Sequence, residues 1–284
     1  MRGRPSPLTF GALGEGPSAS SWIPQPLDAS LYSRVATDVG PLWIANDEGN
    51  MASVMEKTGS WKPHESAVLR SLIRRGCRFL DVGAGAGYLS IMAAQAAVGV
   101  QVDAVEPDPV NVAALRVNVW EAGISVLVWP IALNDRDRTL MLRRPEDSRS
   151  VSRIERVSVG RAPTGAMAAP AAAGDGIFDG RVFDVVRVAA GGWELEVVAG
   201  LRATLARNPA ARLMVQFSPR ALIERRRDPR ESLGQYHAMG YEILTLVGAG
   251  LQRLSDGGIL EVCASAGAFG QVSLVLSRSG AGSG

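Results

Sequence analysis

Apolar segments of two different periods alternate from Cys77 to Leu133, and this alternation constrains the fold more than any other feature. Short, continuously apolar runs typical of buried strands are CRFLDVG, VQVDAVEP and ISVLVWPIAL, and apolar residues recur at helical spacing in GYLSIMAAQAA and PDPVNVAALRVNVWEAG. Successive strands joined through helices pair in parallel by right-handed crossovers. The pattern therefore predicts an α/β fold with a doubly wound, mostly parallel sheet.

The same alternation returns after an irregular segment in the middle of the chain. Two more strands and two more helices are predicted in VFDVVRV, WELEVVAGLRATLARN, ARLMVQFS and ESLGQYHAMG, and an antiparallel C-terminal hairpin in YEILTLV and QVSLVLSR. The predicted sheet then has seven strands, counted from these segments. Within the irregular segment, the low-complexity stretch APTGAMAAPAAAGDG at residues 162–176 predicts a mobile loop that faces solvent.

The chain before this pattern divides into two parts. Residues 1–29 are rich in Pro, Gly and Ser without a sustained hydrophobic period, which predicts a flexible N-terminal arm. Residues 30–76 are expected to form a cap and a helical lead-in, with a short strand in PLWIAN and a helix in KPHESAVLRSLIRRGC that ends at Gly76. Residues 77–284 then form the α/β domain.

Composition and charge exclude several classes of protein. The sequence contains no apolar run of about eighteen residues, the length needed to span a bilayer, and no signal peptide is visible. We therefore expect a cytoplasmic protein without a membrane partner. A net charge of +2 provides no footprint for nucleic acid. Cys77 and Cys263 lie in apolar runs and are expected to be buried free thiols. With only His64 and His237 to help them, no metal site is expected.

The stretch FLDVGAGAGYLS contains the first functional signal. An apolar strand ends in Asp81, and Gly83, Gly85 and Gly87 let the chain turn tightly and approach a ligand before the next helix. Glu106 follows at the tip of the next strand, where a carboxylate accepts hydrogen bonds from both hydroxyls of an adenosine ribose. An acid about twenty residues beyond a glycine turn is typical of a nucleoside-binding α/β fold.

Two cofactors compete for this arrangement, a nicotinamide dinucleotide and S-adenosylmethionine. The dinucleotide fingerprint has its third glycine one residue later and leaves the helix N-terminus open for a pyrophosphate. Asp81, two positions before the first glycine, would repel a pyrophosphate but can receive the ammonium group of a methionine moiety. The turn therefore favours S-adenosylmethionine.

At these residues the chain resembles the FkbM-type methyltransferases, a branch of the class I S-adenosylmethionine-dependent family, whose fold is Rossmann-like. The resemblance runs from about Asp47 to Tyr241, through GSWKPHESAVLRSLIRRGCRFLDVGAGAGYLS, VEPDPVNVAALRVNV, IALND, GGWELEVVAGLRATLARNPAARLMVQFSP and MGYEI. It implies S-adenosylmethionine as the cofactor. The predicted cofactor-binding residues are Glu65, Asp81, Gly83, Ala84, Gly85, Gly87, Glu106, Pro107, Ala132 and Leu133.

The resemblance is altered on the acceptor side. In the family the fourth strand ends in a Lys, with Asp two positions later and Glu or Gln before a glycine. Those places hold Arg187, Ala189 and Gly191 here, whereas Trp193 and Glu194 match. Gln216 also stands where the family usually keeps an acid. The predicted catalytic residues are Arg187, Trp193 and Glu194.

A missing acid matters because an alcohol needs a positioned base or a metal to lose its proton while it attacks a sulfonium methyl group. Ala189 cannot be that base, and too few oxygen ligands remain for a divalent metal. The remaining candidates are Glu194, Asp135, Glu155 and His237, each of which also has a purely structural explanation as a helix-end acid, a loop acid or a surface or core histidine.

Arg187 has two explanations of its own. At a strand tip it could bind a carboxylate, sulfate or phosphate group of the acceptor. It could equally form a structural ion pair, with Asp184 or Glu194 as its partner.

Two functional hypotheses follow. The first is a methyltransferase that O-methylates a small-molecule acceptor, a bacterial metabolite or sugar, in natural product biosynthesis. We expect anionic acceptors to be included, and the protein to act as a homodimer or with a partner subunit. The bacterial source is suggested by a strong bias towards Arg, since the only lysines are Lys57 and Lys62. The second is a methyltransferase-fold protein that no longer methylates and serves as a binding subunit or catalyses another reaction, such as elimination or cyclisation.

Overall fold

The computed structural model describes residues 24–46, 49–143, 153–155, 166–266 and 270–278. Of the arm predicted over residues 1–29, the part before residue 24 lies outside these ranges. The strands are β1 (Tyr32–Val35), β2 (Leu42–Ala45), β3 (Arg78–Val82), β4 (Gln101–Val105), β5 (Val126–Trp129), β6 (Ala132–Asn134), β7 (Arg138–Arg143), β8 (Arg153–Glu155), β9 (Ala166–Ala173), β10 (Val185–Val188), β11 (Arg212–Phe217), β12 (Tyr241–Val247), β13 (Gly250–Gln252) and β14 (Val272–Arg278). The helices are α1 (Gly49–Thr58), α2 (Pro63–Leu72), α3 (Tyr88–Ala96), α4 (Pro109–Glu121), α5 (Gly174–Ile177), α6 (Glu194–Gly200), α7 (Arg202–Ala206), α8 (Pro219–Glu224), α9 (Pro229–Ala238) and α10 (Asp256–Ser265).

The main sheet has eight strands in the order β13-β12-β14-β11-β10-β3-β4-β5. Its strands from β11 to β5 pair in parallel. β14 runs antiparallel to both β11 and β12. The predicted α/β fold with a doubly wound, mostly parallel sheet is confirmed, and β13 adds one edge strand to the seven expected.

Helices cover both faces of this sheet, because side chains along each strand alternate between the faces. Phe79 and Val185 belong to an apolar cluster with residues of α2, α3 and α4, which we call the α2–α4 face. Leu80 belongs to a second cluster with residues of α6, α7, α9 and α10. Two residues beyond Phe79 and Val185, Asp81 and Arg187 therefore lie on the α2–α4 face.

The end of the chain differs from the predicted hairpin. β12 and β14 do pair antiparallel, but β13 and α10 lie between them in the sequence, and β14 inserts between β11 and β12. The connection expected to be a loop carries a helix because Ile259 and Cys263, four residues apart, are both buried against the sheet.

A second sheet, of order β6-β9-β7-β8, is built from the chain between β5 and β10. The prediction of a solvent-facing loop is wrong over Ala166–Ala173, because these residues form β9 and pair with β6 and β7. Ala169, Ala171 and Ala172 are buried. Alanine is less common in strands than in other structure. The strand conformation here is therefore determined by pairing on both sides and not by local propensity. Residues 162–165 of the predicted loop lie outside the described residues.

Several hydrogen bonds tie the lead-in to the α/β part, and the Asn118 amide makes two of them. β1 and β2 form an antiparallel hairpin. The Asn118 side chain in α4 accepts a hydrogen bond from the Trp43 backbone N–H (2.7 Å) and donates to the carbonyl oxygens of Trp43 (2.9 Å) and Ala86 (2.8 Å). It therefore joins the hairpin, α4 and the turn after β3. The division into an arm, a lead-in and an α/β domain stays a prediction.

Two predicted helices are shorter in the structure. α2 ends at Leu72, since Ile73 is already extended, and Gly76 lies in the turn before β3. The long helix predicted from Trp193 divides at Leu201 into α6 and α7. Cys77 and Cys263 are buried free thiols, as expected. In the described part of the chain, no helix has the length and apolar character needed to cross a membrane.

Candidate functional site

The loops that follow β3, β4 and β10 meet at one edge of the main sheet, and we call this place the strand-tip site. β3 lies between β4 and β10, so the chain leaves it towards one neighbour and returns later on its other side. In open α/β sheets, ligands bind outside the carboxyl ends of the strands at such a switch point. The topology therefore brings Gly83–Gly87, Glu106 and the turn after Val188 together.

The glycine turn after β3 is held close to both neighbouring strands. The backbone N–H groups of Gly83 and Ala84 donate to the Val105 carbonyl oxygen (2.9 and 3.1 Å). Gly83 has a φ of +80°, and an added Cβ would lie 3.0 Å from the Ala189 carbonyl carbon and nearer still to its oxygen. Gly85 has a φ of +56°, but no atom lies within 4 Å of the place a Cβ would take. Gly83 thus packs against β10, whereas Gly85 borders open space.

Glu106 holds the glycine turn from the tip of β4. Its Oε2 accepts a hydrogen bond from the Gly85 N–H (2.8 Å), and its Oε1 accepts one from the Asp108 N–H (2.9 Å). The side chain is buried. The predicted acid therefore lies beside the predicted glycine turn.

Arg187 is the centre of a buried charge cluster on the α2–α4 face. Its Nη1 donates to Asp81 Oδ1 (2.8 Å) and to the Gly83 carbonyl oxygen (3.1 Å), and its Nε donates to Glu65 Oε1 (3.2 Å). The Arg187 residue is 6% exposed and Asp81 is fully buried. Arg187 therefore forms a buried ion pair, which was one of its two explanations, but its partners are Asp81 and Glu65 instead of Asp184 or Glu194.

Sheet register explains this pairing. Arg187 and Asp81 are direct neighbours on the parallel strands β10 and β3, so their side chains project from the same face at the strand spacing. Glu65 reaches the same place from the first turn of α2. Two other side chains complete its coordination, Ser273 Oγ from β14 (2.8 Å) and Lys62 Nζ (3.2 Å).

The charges in this cluster shift one another's protonation. Burial alone would raise the pKa of Glu65, but the positive charges of Lys62 and Arg187 outweigh it and lower the pKa to about 2. Burial acts to lower the pKa of Arg187, and the carboxylates of Asp81 and Glu65 raise it above its ordinary value instead. Both groups are therefore charged at neutral pH.

The predicted partners of Arg187 are used elsewhere. Asp184 Oδ2 accepts a hydrogen bond from the Arg78 N–H (2.8 Å) at the start of β3, so an ion pair with Arg187 was the wrong expectation. Glu194 Oε1 accepts from the N–H groups of Ala190 (2.9 Å) and Gly192 (3.2 Å). Burial raises the pKa of Glu194, although these backbone donors oppose the shift. Glu194 thus shapes the turn after β10.

Trp193 supports the same turn from the other side. It is 1% exposed, and the Arg225 guanidinium stacks on its ring with the central carbon 3.6 Å from the ring centroid. Arg225 and Arg227 also bind Glu196 (2.8 and 2.6 Å). Trp193 and Glu194 therefore both belong to the turn after β10, and their catalytic role stays a prediction.

Two of the other candidate bases, Asp135 and His237, lie in separate ion pairs. Asp135 forms an ion pair with Arg138. His237 Nε2 lies 3.1 Å from Asp256 Oδ1 on the surface end of α9. Glu155 belongs to β8, and its side chain is outside the described residues. Gln216 donates to Gln271. None of these contacts joins the strand-tip site.

Three of the remaining predicted cofactor-binding residues lie in the turns of the strand-tip site. Ala84 is buried in the turn, Gly87 has a φ of +93° and precedes α3, and Pro107 follows Glu106. Ala132 and Leu133 lie in β6 and are both buried in apolar clusters. Ligand contact by Ala132 and Leu133 stays a prediction.

Three residues of the site were not predicted. Ser90 Oγ donates to Asp81 Oδ2 (2.7 Å), and Lys62 and Ser273 bind Glu65. Ser90 follows Asp81 by nine residues, on the first turn of the helix that the glycine motif predicts, so its proximity could have been found. Ser273 is 208 residues from Glu65, and only the sheet order brings them together.

These residues fit the two halves of S-adenosylmethionine differently. The open space beside Gly85 and the acid Glu106 fit an adenosine ribose. At the other end, Asp81 and Glu65 already bind Arg187. In the described ranges no group of three or more His, Cys, Asp or Glu side chains could hold a metal ion.

Comparison with known proteins gives weak structural similarities only. No protein-family model matches the chain, and no curated protein matches it. Similar solved structures include a methyltransferase FkbM from Methylobacillus flagellatus, with 13% identity and a TM-score of 0.43, which covers 72% of this chain and 44% of that one.

Two further solved structures show the same level of similarity. A TehB-like SAM-dependent methyltransferase from Corynebacterium glutamicum has 13% identity over 82% of this chain and 99% of its own, with a TM-score of 0.43. An O-methyltransferase from Bacillus cereus in complex with SAH has 13% identity over 82% of this chain and 91% of its own, with a TM-score of 0.44. TM-scores this low establish neither a family nor a function for this chain.

Proposed function

We propose that this protein is an S-adenosylmethionine-dependent methyltransferase for a small metabolite or sugar, related to the FkbM-type branch that its motifs resemble. The observation that carries the proposal is the contact between the Gly85 N–H and Glu106 at neighbouring strand tips. It supports the proposal because an acid beside a glycine with open space around it suits a nucleoside ribose.

Each residue of the strand-tip site has a separate role in this proposal. Glu106 accepts the ribose hydroxyls, Gly83 brings the β3 turn against β10, and Gly85 leaves room for the ligand. Ala84, Gly87, Pro107, Ala132 and Leu133 frame the nucleoside. When bound, the cofactor supplies an activated methyl group on a sulfonium.

The acceptor side determines which reaction is feasible. Ala189 and Gly191 carry no base, and the Glu194 carboxylate accepts hydrogen bonds from the turn backbone. Catalysis then depends on alignment of the methyl group with the nucleophile, which supplies several kcal/mol by itself. We therefore propose O-methylation of an acceptor whose proton is easily lost, such as a phenol or a carboxylic acid, in bacterial secondary metabolism. Arg187, Trp193 and Glu194 serve as positioning residues.

Calorimetric titration of the cofactor-stripped protein with S-adenosylmethionine and S-adenosylhomocysteine tests the proposal. Glu106→Gln is expected to weaken binding about tenfold or more, since it removes charge-assisted hydrogen bonds to the ribose. Glu224→Gln is the matched control, because Glu224 is a surface residue of α8 that pairs with Arg220. Absence of binding to either compound by the folded wild-type protein would refute the proposal.

A second candidate function is a binding protein or an enzyme of another reaction class that keeps the methyltransferase fold. The observation that favours it is the turn after β10, where Ala189 and Gly191 replace the expected acids and Glu194 is turned to the backbone. Transfer of a labelled methyl group to any acceptor would exclude it.

A further inference from the structure

The Arg187 guanidinium binds Asp81, the acid that was expected to receive a methionine ammonium group. It donates to the Asp81 carboxylate, the Gly83 carbonyl oxygen and the Glu65 carboxylate, at 2.8, 3.1 and 3.2 Å. Asp81 and Glu65 are the two acids among the predicted cofactor-binding residues on the α2–α4 face. Three acceptors at the end of β3 are thus bound to one cation of the protein itself.

The charges in this cluster are balanced. Two cations, Arg187 and Lys62, face two carboxylates, Asp81 and Glu65. An ammonium group added here would bring a third cation to two buried carboxylates that already face two cations. Displacement of Arg187 would not relieve this, because its charged side chain would lose its partners inside the protein, which is a costly change.

The remaining polar side chain next to Asp81 reinforces this arrangement. Ser90 Oγ donates to Asp81 Oδ2 (2.7 Å), so each oxygen of that carboxylate already accepts a hydrogen bond. Glu65 is in the same state, with Arg187 on one oxygen and Ser273 and Lys62 on the other. The two acids therefore serve to hold Arg187.

We propose that Arg187 makes the site indifferent to the α-amino group of its ligand, so that the protein binds 5′-thioether nucleosides equally well with and without that group. This inference rests on the proposed cofactor site and specifies what that site selects. The class of ligand it predicts includes adenosine thioethers whose side chain has no amino group.

The test compares S-adenosylhomocysteine with its desamino analogue, which keeps the carboxylate and lacks only the amino group, by calorimetric titration of the wild-type protein. The expected dissociation constants agree within about threefold, because no strong amino contact is lost. A desamino analogue that binds more than about tenfold more weakly would overturn the inference and leave the cofactor proposal standing. Failure of both compounds to bind would refute the cofactor proposal, and this inference with it.

A variant provides the converse test. Arg187→Met frees Asp81 and Glu65 for an ammonium group, so S-adenosylhomocysteine should bind this variant about tenfold more tightly than the desamino analogue does. Arg181→Met is the matched control, because Arg181 pairs with a different buried carboxylate, Asp103, at 2.9 Å, and its ratio should stay near that of the wild type. A folded Arg187→Met protein that still binds both compounds equally would contradict the inference. If that variant does not fold, the wild-type comparison decides alone.

Discussion

Substitution of Gly83 by alanine is expected to destabilise the protein strongly, for two separate reasons. The φ of +80° places an alanine in the left-handed region, at a cost of about 1–2 kcal/mol. The new methyl group would also press on the backbone carbonyl of Ala189, which cannot rotate away as a side chain could, and overpacking of this kind costs about 1–3 kcal/mol. The expected loss is therefore about 2–5 kcal/mol, a large share of the roughly 5–15 kcal/mol by which a native protein is stable.

Gly85→Ala is the matched control for this prediction. Gly85 also has a positive φ, +56°, but nothing lies within 4 Å of its added methyl group. Only the conformational cost of about 1–2 kcal/mol remains. Because the methyl group would occupy the space assigned to the nucleoside, Gly85→Ala is expected to weaken S-adenosylhomocysteine binding about tenfold or more at this small cost in stability.

Urea unfolding followed by circular dichroism measures the free energies of unfolding, and calorimetry measures the binding. Gly83→Ala should lose more stability than Gly85→Ala. Equal losses of unfolding free energy, or a larger loss for Gly85→Ala, would refute the close approach of the β3 turn to β10. They would also refute the geometry of the strand-tip site.

Two carboxylates lead to predictions of opposite sign. The pKa of Glu65 is lowered to about 2 from 4.5, so its carboxylate contributes about 3 kcal/mol that is present above pH 4.5 and lost as the pH falls towards 2. Glu65→Gln should therefore flatten the acid dependence of the unfolding free energy in that pH window. Asp179→Asn, at an exposed carboxylate, is the control. A Glu65→Gln curve parallel to that of the wild type would contradict the prediction. Burial raises the pKa of Glu194, so its charge at neutral pH is a cost to stability, and Glu194→Gln is expected to stabilise the protein at pH 7 with a gain that shrinks in acid. Glu194→Ala should instead cost about 1–3 kcal/mol, since the Ala190 and Gly192 N–H groups lose their acceptor, and equal unfolding curves for the two variants would exclude this role.

The sequence predicted those parts of the structure that depend on local pattern. Alternating hydrophobic periods placed β3, α3, β4 and α4 correctly, since each element carries its own periodicity. The glycine spacing and the strand that ends before Glu106 also predicted that these groups would meet. Their hydrogen bond joins residues only 21 positions apart, within one strand–helix–strand unit.

The parts that were missed depend on pairing between distant segments. β9 contains mainly alanine, and its strand conformation comes from β6 and β7 on either side. The contact of Arg187 with Asp81 follows from the register of β10 with β3, which is known only once the sheet order is known. Glu65 reaches the cluster from α2, and no spacing in the chain indicates its contact with Arg187. Charged groups at a strand tip could therefore be identified, although their partners could not be assigned.

The three hydrogen bonds of Asn118 have a practical consequence for work on shorter fragments. A fragment that began at residue 77 would keep the bond to the Ala86 carbonyl but would remove both groups of Trp43 that the amide uses. A buried amide with lost partners is costly, and this one belongs to α4 and also binds the turn after β3. Expression boundaries for crystallisation or binding studies should therefore begin before Tyr32, so that the hairpin stays with the sheet.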